Sequence, residues 1–177
     1  IHRADQYMYQ AKTRKNSVVT EAEGREVLED TAARDNAHAR KSRILIVDDS
    51  EMNRAILANI LDQDYEIIEA ADGREAIAAL QVYHGEISAL LLDIIMPEMD
   101  GFAVLEEMRA HGWLEEVPVI MISTETGTAT IDHAFALGAS EYISRPFATR
   151  IIRRRIINTI LLDAEKHQLM DIVAERV

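Results

Sequence analysis

Cysteine is absent from the 177 residues, which removes disulfides and thiolate metal sites and makes a cytoplasmic location the expectation. Only three prolines and seven glycines occur, too few for low-complexity or disordered sequence to dominate. No apolar run approaches the roughly 18 to 20 residues that span a bilayer, and Ile1 to Lys15 is charged and polar rather than signal-like, so no membrane insertion is expected. Positive charge is also short. Nineteen Lys and Arg face 31 Asp and Glu, for a net charge of −12. Residues 1–43 hold 9 basic and 7 acidic side chains, leaving 10 and 24 for residues 44–177. The acidity therefore sits in the larger part, which disfavours direct nucleic-acid binding and favours basic partners or cations.

What is present is ordinary globular composition, 48% hydrophobic and 28% charged, over a length suited to one α/β domain with extensions. From Arg43 onward, short apolar runs alternate with stretches of helical periodicity. Ile44 to Val47, Ala89 to Leu92 and Val117 to Ile122 are nearly continuous apolar segments, as in parallel strands covered on both faces. Glu66 to Ala70 and Glu141 to Ser144 supply two weaker strands, with Asp72-Gly73 and Gly138-Ala139 as punctuation. Between them, 51–63, 73–82, 101–111 and 128–137 read as helices; Ile56, Leu57, Ile60 and Leu61, for instance, fall at helical spacing. From Thr149 to the end neither Pro nor Gly occurs, so the fifth helix is expected to run past the domain edge. Leu162, Leu169 and Ile172 form a partial heptad there, interrupted by Glu165 and Arg176, which marks a candidate dimerising or signalling helix. Arg150, Arg153, Arg154 and Arg155 near its start lack aromatic partners and read as a solvated or interface face.

Asp48-Asp49, Asp93 and Ser123-Thr124 follow the carboxyl ends of strands one, three and four. In a doubly wound sheet these ends converge at the ligand-binding edge. Three carboxylates brought together repel one another, so a proton or a cation must intervene. Magnesium suits an all-oxygen pocket without His or Cys. An Asp pair at a strand end is also a common cap, but Asp93 followed by Met96-Pro97 and Asp100-Gly101 describes a tight loop that leaves a carboxylate at the rim.

Ile44 to Ser50, Asp93 to Gly101, Val119 to Ser123 and Gly138 to Phe147 together resemble the response-regulator receiver family, over about two thirds of the chain. The resemblance implies an α/β, flavodoxin-like, doubly wound five-stranded parallel sheet of order 2-1-3-4-5 with an extended C-terminal helix, and a receiver at residues 43–163 followed by a helical extension at 164–177. It implies that Asp93 accepts phosphate from a histidine kinase or phosphotransfer protein. Magnesium would be bound directly by Asp49 and Asp93, through water by Asp48, and by the backbone carbonyl of Ile95. Ser123 would hydrogen-bond the phosphoryl oxygens and Tyr142 would be the switch aromatic, turning inward as Ser123 moves. A homodimer would form through the fourth helix, fifth strand and fifth helix, or through the helical extension. The plainer roles for Tyr142 and Ser123 are an edge-strand residue and a strand cap.

Receivers usually carry Lys where this chain has Arg145, and the longer, planar guanidinium prefers bidentate contacts. Arg145 either neutralises charge in the pocket with altered coupling to the switch, or points to solvent. At the other end, Ala4 to Lys12 with Asn16 to Val19 resembles the last helix and strand of a GGDEF, diguanylate cyclase-type domain, which places 1–19 in a cyclic-di-GMP-related multidomain protein. Without the signature loop and nucleotide pocket no cyclase activity is expected. Residues 20–42 read as a charged, helical linker. Three functions compete: a phosphorylation-controlled regulatory module, not a turnover enzyme; a degenerate receiver acting as a constitutive dimerisation or docking module; and an Asp-nucleophile phosphatase of dehalogenase type, disfavoured because Ile95 stands where its second Asp belongs.

Overall fold

The computed structural model describes residues 43–176; the GGDEF-like segment and the linker read in the sequence lie outside the described residues. Five strands form one parallel sheet: β1 Arg43–Val47, β2 Glu66–Ala70, β3 Ile87–Leu92, β4 Val119–Ser123 and β5 Glu141–Ser144. Their order is β2-β1-β3-β4-β5, as the resemblance implied. Helices α1 Glu51–Leu61, α2 Gly73–Tyr83, α3 Gly101–Ala110, α4 Thr128–Leu137 and α5 Thr149–Ala174 alternate with them.

The period-two alternation of strand side chains divides the core. Leu45 and Val47 of β1, Leu90 and Leu92 of β3, and Val119 and Met121 of β4 face one layer, which α2, α3 and α4 cover with Ala76, Leu80, Val104, Leu105, Met108, Ala134 and Leu137. Ile44, Ile46, Ala89, Leu91, Ile120, Ile122 and Ile143 face the other, against Leu57 and Leu61 of α1 and Ile152 and Ile156 of α5. A strand buried on both sides has no polar face to show, which is why these runs read as continuous apolar sequence. Each large aliphatic side chain so buried contributes roughly 1.5–3 kcal/mol.

The helix starts follow from local chemistry. Ser50, Asp72 and Asp100 lie in extended backbone, and their side chains accept from the N–H groups of Asn53, Glu75 and Ala103. These bonds satisfy donors that a helix N-terminus leaves free. Glu75 reaches back to the Ala71 N–H at 2.7 Å, closing the turn before α2 from the other side. Gly138 ends α4 at φ 113°, a left-handed conformation that disfavours any residue with a Cβ.

Element ends depart from the sequence reading by one or two residues in strands β1, β3 and β4 and in three helices, which close at Leu61, Tyr83 and Ala110. Strand β3 starts at Ile87 rather than Ala89, because Ser88 is buried within the sheet. Strand β4 starts at Val119 and runs through Ser123. Pro118, which has no N–H to donate, offers only its carbonyl, 3.0 Å from the Leu90 N–H.

The expected long fifth helix is present, with 26 residues, or roughly 39 Å. Its first half packs on the sheet. Farther along, Leu161, Leu162, Leu169, Met170, Ile172 and Val173 are exposed. His167 ties the second half to the body: its Nε2 lies 2.7 Å from the carbonyl of Glu115, in the turn before β4, and its Nδ1 lies 2.8 Å from the Asp163 carbonyl. No described helix is long and apolar enough to cross a membrane.

Candidate functional site

The parallel register brings the carboxyl ends of β1, β3, β4 and β5 to one edge. Asp48 directly follows β1, Asp93 follows β3, Ser123 closes β4 and Arg145 follows β5. Backbone bonds continue the sheet past the strands: Asp48 N–H donates to Ala70 O at 3.3 Å, Asp93 N–H to Val47 O at 2.9 Å, and Arg145 N–H to Ser123 O at 2.8 Å. Pairing, not loop chance, therefore fixes the height of each functional side chain. Asp48, Asp49 and Asp93 each present a carboxylate oxygen, and the three lie within 4.8 Å of one another. Asp48 and Asp93 are buried and Asp49 is exposed. A donor set of hard carboxylate oxygens fits a magnesium ion and offers little to a soft metal.

The surroundings of Asp48 were only partly legible. One of its oxygens accepts from the Ser50 N–H at 2.9 Å and from Asn53 Nδ2 at 3.2 Å. The other accepts from Arg145 Nη2 at 2.6 Å. Arg54 adds a bond from Nη1 to the Asp48 carbonyl at 2.8 Å and pairs with Glu69 at 2.9 Å. Asn53 and Arg54 were not anticipated: their positions on α1 carry no motif, and their contact with Asp48 comes from the bend that starts the helix.

Asp93 sits deeper than a rim residue. Burial, and then the negative charge of Asp48, push its carboxyl above the ordinary carboxylate range; Arg145 and the backbone N–H groups of Ile94 and Ile95 oppose the shift. Arg145 Nη1 lies 3.7 Å from Asp93 Oδ2. Its side chain is only 14% exposed, so of its two sequence-based placements the solvent-directed one is excluded. Ile95 projects its side chain to solvent.

The loop after Asp93 folds back on it. Gly101 N–H donates to Ile94 O at 2.9 Å. A Cβ at Gly101 would stand 2.3 Å from the Asp93 carbonyl oxygen, so only glycine permits this approach. Glu98, at φ 62°, takes the left-handed turn within the loop. A Cβ at Gly73 would meet both the side chain and the carbonyl of Met99, so the same loop is wedged against the start of α2.

Ser123 is fully buried, and its Oγ accepts from the Glu125 N–H at 3.3 Å. Tyr142 is buried rather than displayed on the edge strand, and its hydroxyl donates to the Glu125 carbonyl at 2.8 Å. Burial pushes its phenol above the ordinary value, opposed by a hydrogen bond with Ser123. The backbone of Glu125 thus joins the two candidate switch residues, and no sequence signal identified it, because a backbone group leaves no trace in composition. Arg155 fastens β5 from the far side, through Glu141 at 2.7 Å and the Tyr142 carbonyl at 2.9 Å.

Comparison with known proteins returns one family: the model of the response regulator receiver domain matches residues 44–157. The chemotaxis protein CheY1 of Helicobacter pylori strain J99 is 35% identical over 116 residues, 64% of this chain and 93% of that protein. A probable cyclic di-GMP phosphodiesterase of Vibrio cholerae is 35% identical over 113 residues, 64% of this chain but only 25% of that protein. Among solved structures, the CheX-CheY-BeF3-Mg complex from Borrelia burgdorferi aligns with a TM-score of 0.62 and 30% identity, over 66% of this chain and 87% of the matched one.

Proposed function

Because the chain belongs to the response regulator receiver domain family, we propose that Asp93 is its phosphoacceptor, within a receiver unit of residues 43–163 whose last helix extends from residue 164 as a connector. The observation that carries this reading is the position of the Asp93 carboxylate, at the end of the central strand, with two further carboxylates within 4.8 Å and a fixed guanidinium beside it. An Asp93 oxygen attacks the phosphorus of a phosphohistidine on a histidine kinase or phosphotransfer protein. The new P–O bond forms as the P–N bond breaks, and the electron pair leaves with the imidazole, which then takes up a proton. Such a transfer needs positioning and charge neutralisation more than covalent chemistry.

Asp49, Asp93 and the carbonyl of Ile95 would hold a magnesium ion directly and Asp48 would hold it through water; when bound, it supplies the positive charge that the phosphoryl oxygens require. The residues fit that ion in charge as well as in donor type: three carboxylates and Arg145 leave a formal −2. Ser123 and Arg145 donate to the phosphoryl oxygens. Phosphorylation turns one negative charge into about two and adds acceptor oxygens. Once Ser123 turns toward them it releases the Glu125 N–H, and Tyr142, bonded to the carbonyl of Glu125, shifts with that loop. The output is a changed surface around Tyr142. The GGDEF-like segment at 1–19 and the Vibrio relative support a place in a cytoplasmic, cyclic-di-GMP-related multidomain protein.

A second reading, a constitutive dimerisation or docking module, is favoured by the exposed apolar side chains from Leu161 to Val173 of α5. A homodimer through α4, β5 and α5, or through the extension of α5, is compatible with either reading. Incubation with acetyl phosphate and magnesium, followed by intact mass measurement, separates them. A single phosphoryl adduct that Asp93→Asn abolishes supports phosphoacceptance. No adduct supports constitutive docking, and phosphate release over many turnovers supports a phosphatase.

A further inference from the structure

Arg145 does more than line the pocket. Both oxygens of Asp48 already accept hydrogen bonds, one from Ser50 N–H and Asn53 Nδ2, the other from Arg145 Nη2 at 2.6 Å. Asp48 is 1% exposed, so the bond from Arg145 lies out of bulk solvent. The same guanidinium reaches toward Asp93, with Nη1 3.7 Å from Oδ2. A single permanent cation thus spans two of the three carboxylates that would receive a divalent ion. Guanidinium is planar, keeps its charge at all working pH values and is weakly hydrated, so it loses little by remaining in a buried site. Asp49, exposed, is the carboxylate of the three best placed to meet an incoming ion first.

We propose that Arg145 is a tethered competitor of the divalent cation: it neutralises the empty pocket, and metal entry requires it to release the Asp48 oxygen and withdraw from Asp93. The pocket's affinity for magnesium is thereby held down by its own side chain. This rests on the phosphoacceptor reading of the same site. Two effects act in one direction, namely a charge-assisted hydrogen bond that must be broken and repulsion between the guanidinium and the ion. Removing the guanidinium therefore raises magnesium affinity, by about ten-fold if one charge-assisted bond is the difference. Arginine suits this role better than lysine because its fork can address both carboxylates at once.

The test is calorimetric titration of magnesium chloride into the full chain and into Arg145→Met, Arg145→Lys and Asp49→Asn, with folding of each checked by far-ultraviolet circular dichroism. The expected order of affinity is Arg145→Met tightest, Arg145→Lys intermediate, the unaltered chain weaker and Asp49→Asn weakest. Thermal melting supplies a second readout, in which magnesium raises the Tm of Arg145→Met by more than that of the unaltered chain. Equal or weaker magnesium binding by folded Arg145→Met overturns the proposal. Should that variant not fold, Arg145→Lys, which keeps the charge, decides it by binding more tightly or not. If the Arg145 variants match the unaltered chain while Asp49→Asn loses affinity, competition fails and the metal site stands. If magnesium binds none of the four, the phosphoacceptor reading falls with the proposal.

Discussion

Gly101→Ala tests whether α3 is wedged onto the backbone of Asp93. The added Cβ would lie 2.3 Å from the Asp93 carbonyl oxygen, 3.1 Å from its carbonyl carbon and 3.0 Å from the Ile94 Cα. All three are backbone atoms, so no rotamer change relieves the clash. The Asp93 N–H is also held by β1, through the Val47 carbonyl at 2.9 Å. Relief must therefore come from α3, whose N-terminus is fixed by the Gly101 N–H to Ile94 O bond and the Asp100 cap. Overpacking of this kind costs about 3 kcal/mol at the upper end of its usual range, and the better helix propensity of alanine returns at most about 1 kcal/mol. A net loss of about 2 kcal/mol in a domain of this size lowers Tm by roughly 5 to 10 °C. Because relief displaces Asp93 or its loop, phosphorylation by acetyl phosphate should slow by up to about 100-fold, the scale expected for an ångström of misplacement. Melting followed by circular dichroism, with adduct formation timed by intact mass, reads both effects. A variant that melts within about 1 °C of the unaltered chain and phosphorylates at the same rate would show that the loop does not bear on Asp93.

Three further outcomes are expected. The Asp93 carboxyl is raised by burial and by Asp48, so the folded state holds that proton more tightly than the unfolded one. Its favourable contribution is present below the unfolded pKa and lost as pH rises through the folded value. In metal-free buffer, Asp93→Asn should therefore be more stable than the unaltered chain at neutral pH, with the difference closing toward pH 4; a difference independent of pH in denaturant titrations would refute this. Tyr142→Phe removes the bond to the Glu125 carbonyl and should lower stability by about 1 kcal/mol, read from urea midpoints; no change would mean that the hydroxyl is dispensable in the unphosphorylated state. His167→Ala removes the tether to the Glu115 carbonyl and should speed amide exchange from Leu161 to Ala174 without altering β1 or β3. Unchanged exchange along that stretch would show that the extension is held by other means.

The three central strands were readable because they are buried on both faces: Ile44 to Val47 divides evenly between two core layers and leaves no polar alternation to confuse the pattern. Asp48, Asp49 and Asp93 were legible for a related reason, since polar residues that end an apolar strand mark the edge where ligands bind. Ser88 hid the start of β3 because a lone buried polar residue looks like a strand boundary in one dimension. The contact between Arg145 and Asp48 joins residues 97 positions apart. The residue types said that arginine differs from lysine, but only the register of β5 against β4 showed that it reaches inward. The bonds through the Glu125 backbone and the tie from His167 to Glu115 involve carbonyl groups, which every residue has and no sequence pattern singles out.

The most direct measurement is the location of the phosphoryl group. After brief incubation with acetyl phosphate and magnesium, borohydride reduction converts an aspartyl phosphate to homoserine, and peptide mass mapping identifies the position. Homoserine at position 93 alone, absent when magnesium is chelated, is the expected result. Homoserine at Asp48 or Asp49, or an unmodified Asp93 in a folded, magnesium-loaded chain, would contradict the assignment.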